Sequence, residues 1–148
     1  MKPGLITALV LISCCAAATA NEEQLIKETY DEWVQVTNTK DIDRWWTFVA
    51  PAAVFTPPGE AVLQTEAAIR GFYEKLFADP NFSLDCKQLR VEIAESGDMA
   101  WARGICNFTL TDRNGEKGSG TSRWFKIWLK QTDGSWKCKV NTWNVGGG

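Results

Sequence analysis

The chain has 148 residues, of which 45% are hydrophobic and 11% aromatic, and this composition is sufficient for one ordered domain with a single core. It contains no histidine, so catalytic triads and metal sites built on histidine are excluded. The formal net charge of −2 comes without a basic stripe, which argues against nucleic acid as a partner.

The first twenty residues have the pattern of a secretory signal peptide. Lys2 precedes an apolar run at residues 5–12, and the small residues 18–20 suit a cleavage point before Asn21. The apolar run is too short for a permanent membrane span, so no transmembrane segment is expected. We therefore predict a leader at residues 1–20 and a secreted or periplasmic domain at residues 21–145.

A competing motif lies inside the same leader. Residues 11–14 resemble the lipobox of bacterial lipoproteins, in which Cys14 would be lipidated and become the first residue. An anchored lipoprotein is thus the alternative to free secretion. In both cases the domain leaves the cytosol.

Two helices are predicted directly after the leader. Asn21 caps the first, and apolar residues then recur every three or four positions to about Thr37. Asp41 caps a shorter second helix, and Pro51 ends it. The buried face of this helix includes Val49.

A small hairpin and a third helix follow. Residues 53–56 and 61–63 are expected to pair across the turn at residues 57–59, which contains two prolines and a glycine. Thr65 caps the third helix, and residues 78–80 end it. Everything beyond is predicted to be strand and turn, so the order of elements indicates an α+β fold with helices packed on one face of a curved antiparallel sheet.

The first long strand changes its apolar face half-way. Residues 82, 84 and 86 are apolar on one parity and residues 89, 91 and 93 on the other, so a β-bulge near residues 87–88 is needed to keep one core face. With this bulge Cys86 lies opposite Cys106, within disulfide reach, and Cys138 is left buried and free. The alternative is that all three cysteines are small buried hydrophobic residues.

The last third of the chain, residues 121–144, alternates apolar and polar residues around a turn that contains Asp133 and Gly134. On its first strand Phe125 and its neighbours at 127 and 129 share one face, and tryptophans and lysines share the other. We expect the helices to cover the Phe125 face. The opposite face is then predicted to be a homodimer surface, formed by Trp124, Lys126, Trp128 and Lys139.

Several segments along the chain resemble a known family. Residues 41–46, 53–55, 68–70 and 96–100, and above all the run from Trp128 to Asn144, are similar to SnoaL-like, ketosteroid-isomerase-like domains of unknown function in the nuclear transport factor 2-like (NTF2-like) superfamily. The resemblance covers nearly all of the chain after the leader. It implies a cystatin-like cone with a pocket at its open end, and often a homodimer through the outer face of the sheet.

Catalytic roles do not transfer with this resemblance. Enzymes of the superfamily use an acidic base with a tyrosine or a protonated aspartate, and no acid or tyrosine here matches such a motif. Asn141 stands where many relatives have aspartate, and an amide cannot act as a base. Simple alternation along the strand also puts Asn141 on the outer face, with Lys137 and Lys139.

Three functions therefore stay open. The first is binding of a small apolar molecule in an aromatic pocket, without a cofactor or a metal ion. The second is a cofactor-independent isomerase, cyclase or dehydratase that uses Tyr30 or Asp43 with Arg123. The third is a structural dimerisation module. The pocket candidates are Tyr30, Trp33, Trp45, Phe55, Phe72, Trp101, Arg103, Asn107, Arg123 and Asn141.

Overall fold

The computed structural model describes residues 6–146, with side chains from residue 18 onward. Its elements are α1 (Ile6–Thr39), α2 (Ile42–Trp46), β1 (Val49–Thr56), α3 (Glu66–Ala78), β2 (Ser83–Ile93), β3 (Met99–Thr111), β4 (Lys117–Lys130) and β5 (Trp136–Val145). Lys2 and the side chain of Cys14 fall outside the described residues, so cleavage and lipidation both remain predictions. Within this range, no helix is long and apolar enough to cross a membrane.

The helix boundaries correct two predictions. α1 begins at Ile6, so Asn21 lies inside it and does not cap it, because the apolar leader continues the helix in the full-length chain. Asp41 does cap α2, and its carboxylate accepts a hydrogen bond from the Arg44 backbone N–H at 3.0 Å. α2 ends well before Pro51, which lies in β1 instead. A proline is tolerated there because β1 is an edge strand and its register shifts beside Pro51.

The hairpin predicted between residues 53 and 63 is reduced to one bridge, between Phe55 and Leu63. β1 instead pairs in parallel with β5, so the sheet is not wholly antiparallel. The Thr65 hydroxyl caps α3 by accepting a hydrogen bond from the Ala68 N–H at 3.2 Å, as the sequence predicted. The α+β class is confirmed: helices pack on a five-stranded sheet with the order β1-β5-β4-β3-β2.

The bulge in β2 is present and lies at Leu89, since the pairing with β3 shifts between Gln88 and Arg90. Cys86 consequently pairs with Cys106, and the two sulfurs form a disulfide with the Cα atoms 4.0 Å apart. Cys138 is buried and carries a free thiol.

A second bulge, in β5, was not anticipated. Ile127 of β4 pairs with Val140 and Trp128 pairs with Cys138, so Lys139 is the extra residue. Its ammonium donates hydrogen bonds to the carbonyl oxygens of Pro51 and Ala52, at 2.8 and 2.7 Å. Because of this extra residue, the residues of β5 after Lys139 face the side opposite to the one that simple alternation predicts. Asn141 is therefore buried on the inner side of the sheet.

The face assignment of β4 was wrong. Trp124 and Trp128 are 4% and 0% exposed and face the helices, whereas Phe125 is 39% exposed on the outer side. The reason lies on the neighbouring strand β3, where Gly104 pairs with Trp124 and Ala100 with Trp128. These small residues leave room for the indole rings of Trp124 and Trp128. The face of the sheet that carries the two rings therefore packs tightly under the helices.

Candidate functional site

A cavity of about 260 Å³ lies between the inner face of the sheet and the helices. Residues of α1, α2 and α3 form one side, and inward residues of β2 to β5 form the other. The loop at residues 57–60 and the end of β5 at Val145 complete the lining, and Val145 is half exposed. The mouth therefore lies at this end of the sheet, with exposed Glu60 as the acidic residue of its rim.

Packed aromatic rings form the walls of this cavity. The rings of Tyr30 and Trp124 lie 4.5 Å apart between centroids, those of Trp33 and Trp45 5.2 Å, and those of Trp45 and Tyr73 4.0 Å. All five side chains are at most 8% exposed. Such walls favour ligands with a large apolar surface.

Lys126 is the charged residue at the inner end of the cavity and is only 6% exposed. Its Nζ donates a hydrogen bond to Asn141 Oδ1 at 2.8 Å, and the Asn141 amide nitrogen lies 3.4 Å from the Tyr73 hydroxyl oxygen. The ammonium also lies 4.3 Å from the centre of the Trp124 ring, and the rings of Tyr30 and Trp33 are at 5.3 and 5.5 Å. Cation–π attraction and one amide oxygen thus hold the charge, without an acidic partner among the ion pairs of the described residues.

Burial dominates the ionisation of this group. Removal of water from around the ammonium lowers the pKa of Lys126 to about 8, and the nearby Cys138 thiol acts weakly in the opposite direction. Burial raises the pKa of Cys138 to about 12, and it also raises the pKa values of Tyr30 and Tyr73 far above their usual range. At neutral pH the surrounding groups are therefore neutral, and Lys126 carries the only charge at the inner end.

The disulfide contributes to the same wall. Cys106 lines the cavity, and its sulfur lies 3.5 Å from the hydroxyl oxygen of Tyr30. The covalent link between β2 and β3 thus fixes the strand against which Tyr30 rests. No group of three or more histidine, cysteine, aspartate or glutamate side chains suited to a metal ion occurs in the described part of the chain.

A family model for the SnoaL-like domain matches residues 26–140 of the sequence. The chain belongs to the SnoaL-like domain family. This match covers the cavity-lining parts of every element except the second half of β5, residues 141–145, which contains Asn141. A search of curated proteins gave no match.

Solved structures with a similar fold include proteins described as NTF2-like and as having a cystatin-like fold. A ketosteroid isomerase-like protein from Erwinia carotovora atroseptica superposes with a TM-score of 0.76 at 18% identity, over 86% of this chain and 98% of that chain. An NTF2-like protein with a cystatin-like fold from Novosphingobium aromaticivorans gives 0.68 at 18% identity, over 98% and 94%. An uncharacterized protein with a cystatin-like fold from Caulobacter vibrioides gives 0.70 at 12% identity, over 84% and 89%. At these identities the likeness establishes the fold alone.

The SnoaL-like domain brings half of the sequence-predicted pocket residues together. Those that line the cavity are Tyr30, Trp33, Trp45, Phe72 and Asn141. Phe55 is fully buried beside them and packs edge-on against Trp45 and Tyr73, so it supports the wall from behind.

The other four candidates lie on the outer face of the sheet. Trp101 stacks on Phe125 with ring centroids 5.8 Å apart, and Asn107 is exposed and accepts a hydrogen bond from the Thr121 hydroxyl. Arg103 pairs with Phe125 and Arg123 with Ile105, so both point away from the cavity. These four side chains lie outside the cavity because they share the face of the sheet with Phe125, and that face is the outer one.

Sequence reasoning missed Lys126, Trp124 and Tyr73 as site residues. Lys126 and Trp124 were assigned to the outer surface, and Tyr73 was not among the pocket candidates. One signal could have revealed them: residues 100, 102 and 104 on β3 are Ala, Ala and Gly on a single parity. A run of such small residues indicates the face where a neighbouring strand places its largest side chains.

Proposed function

We propose that this SnoaL-like domain is an exported protein that binds one small, mostly apolar molecule in its cone-shaped pocket. The observation that carries the proposal is the aromatic cavity of about 260 Å³, with Lys126 and Asn141 at its inner end. An apolar body would bury its surface against the rings, and the polar pair would fix its orientation. Binding would therefore combine hydrophobic burial with a single polar anchor.

The acid–base enzyme is the weaker reading because its proposed residues do not converge. Asp43 is exposed and forms an ion pair with Arg70 outside the cavity, and Arg123 lies on the outer face. The hydroxyl of Tyr30 meets a disulfide sulfur, not a carboxylate. A catalytic base with a matched pKa has to lie within hydrogen-bond reach of the substrate proton, and this set offers none in such a place.

Export is supported by the leader and by the covalent chemistry of the domain. Disulfides persist in oxidising compartments, and Cys86 and Cys106 are joined by one. Release after Ala20 and lipidation at Cys14 are distinguished by the mass of the protein recovered from an exporting host. We expect a chain that begins at Asn21; an acylated chain that begins at Cys14 would support the lipoprotein instead.

We also propose that the domain forms a homodimer through the outer face of the sheet. This face presents the stacked rings of Trp101 and Phe125, and Phe125 is 39% exposed. Leu89 and Met99 are 51% and 44% exposed on the same side. Exposed apolar area of this kind marks an interaction surface, and a second copy offers a self-complementary partner.

Phe125→Glu tests the dimer, because it places a charge at the centre of that face. We expect light scattering after gel filtration to report a dimer for the wild type and a monomer for the variant. Glu116→Gln, in an exposed turn, is the control. A monomeric wild type at high micromolar concentration would end the dimer proposal.

The binding proposal is tested with a neutral apolar dye, N-phenyl-1-naphthylamine, and with native mass spectrometry of the purified protein. We expect fluorescence enhancement on binding and a co-purified mass that organic extraction removes. Leu76→Trp fills the cavity from α3 and should abolish dye binding, whereas Leu129→Trp on the outer side of β4 should not. Equal dye binding by both variants would show that the cavity is not the binding site.

A further inference from the structure

The buried ammonium of Lys126 has hydrogen-bond donors that lack acceptors. Lys126 has three N–H donors, and one of them is used by Asn141. Lys126 also lines the cavity, where it is 6% exposed. Buried donors are normally paired, so the two remaining N–H groups of Lys126 leave a place for an acceptor that a bound molecule can supply.

The charge balance of the cavity points in the same direction. Lys126 is buried against neutral partners: the Asn141 amide, the ring of Trp124, the phenol groups of Tyr30 and Tyr73, and the Cys138 thiol. A buried ammonium is costly unless a negative group pairs with it. Aromatic faces and one amide oxygen reduce this cost but leave the net charge of the site at plus one.

We propose that the ligand is a small amphipathic carboxylate, whose apolar body lies against the aromatic walls and whose two oxygens pair with Lys126. The inference rests on the binding function proposed above and adds the chemical class of the ligand. A carboxylate fits because it supplies both the missing charge and up to four acceptor positions, and because an ammonium–carboxylate pair is strongest where water is excluded. The Asn141 side chain acts as a positioning group, since it holds the ammonium at the inner end of the cavity.

The site should also respond to pH. Deprotonation of the Lys126 ammonium, whose pKa burial lowers to about 8, removes the charge that the ligand needs. The groups packed around it from α1, α3 and β5, namely Tyr30, Tyr73 and Cys138, have pKa values raised by burial and stay neutral through this range. Affinity for an anion should therefore fall as pH rises through about 8, while affinity for a neutral molecule stays level.

The experiment compares two probes of the same shape, 2-naphthylacetate and its neutral amide 2-naphthylacetamide, by calorimetry on the purified mature protein. We expect the acid to bind the wild type about thirtyfold more tightly than the amide, and Lys126→Met to remove that preference with little change for the amide. Lys117→Met, an exposed lysine on the same strand, is the matched control and should alter both affinities by less than about threefold.

A second variant keeps the test decisive if Lys126→Met folds poorly. Asn141→Asp is almost isosteric and places a carboxylate beside the ammonium, 2.8 Å away at the position of the present amide oxygen. We expect it to abolish the preference for the acid and to raise the pH at which the lysine titrates. Equal binding of acid and amide by the wild type would overturn the carboxylate inference and leave the apolar pocket standing. If neither probe binds and the dye does not bind either, both the carboxylate inference and the proposed binding function are overturned.

Discussion

Gly104 on β3 controls the position of the indole ring that forms one wall of the pocket. A Cβ atom added at this position would lie 2.3 Å from the backbone oxygen of Lys87 and 2.3 Å from Cζ2 of Trp124. The backbone oxygen belongs to β2, which pairs with β3. Gly104→Ala therefore has to shift this strand pairing and also push the indole away from the sheet, toward Lys126.

Overpacking of this kind costs about 1–3 kcal/mol of the free energy of unfolding. For the 128 residues that follow position 20, an unfolding entropy of about 2.1 cal/mol/K per residue converts this loss to a fall in Tm of roughly 4–11 °C. The displaced ring should also change the near-ultraviolet circular dichroism and weaken binding of the dye.

Thermal unfolding of the wild type, Gly104→Ala and Gly118→Ala measures the effect. Gly118 is the matched control on β4, because its added Cβ would have its nearest neighbour at 3.4 Å, an ordinary contact. An unchanged Tm for Gly104→Ala, with an unchanged near-ultraviolet spectrum, would refute the close packing of Trp124 on β3.

Three other predictions concern stability. The double variant Cys86→Ser, Cys106→Ser removes a cross-link that closes a loop of 20 residues and should lower the free energy of unfolding by about 3 kcal/mol. Alkylation of the unreduced mature protein should modify Cys138 alone, and three modified thiols would disprove the disulfide. Gly71→Ala should stabilise the protein by about 0.5–1 kcal/mol, since the site is inside α3 with nothing within 4 Å of the new methyl group; a lower Tm would contradict this. Hydrogen bonds from Lys130 and Trp136 lower the pKa of Glu22, so the stability that its carboxylate contributes is present above its unfolded-state pKa and is lost as pH falls through its folded-state pKa. Glu22→Gln should therefore lower Tm at pH 7 and match the Tm of the wild type in acid. Equal Tm values at pH 7 would contradict this role of Glu22.

Local signals in the sequence predicted the caps of α2 and α3 and the bulge in β2. The caps at Asp41 and Thr65 depend on a side chain and a backbone group three residues away, so nothing distant can override them. The bulge in β2 was visible because its apolar residues change parity half-way. The apparent start of a helix at Asn21 was misleading, because the leader before it is itself helix-forming and continues the same hydrogen-bonded ladder.

The faces of β4 and β5 could not be predicted in this way. Both sides of β4 carry large apolar residues, so hydrophobicity alone does not say which side is the core. The deciding facts are the small partners on β3, such as Gly104, and these become informative only once the register is known. Lys126 was missed for a further reason: lysine is almost always exposed, and its burial here follows from the strand parity that Trp124 and Trp128 enforce.

The extra residue in β5 makes chain length, and not only residue identity, a determinant of the pocket. Removal of Lys139 would restore simple alternation and carry Asn141 from the cavity to solvent, while Trp136 and Cys138 stayed where they are. Insertions or deletions between Trp136 and Asn141 would therefore exchange the inner end of the cavity with the outer surface in a single step. Redesign of ligand preference should vary side chains at fixed length in this strand, and alignments of related domains should be gapped at the bulge before their residues at Asn141 are compared.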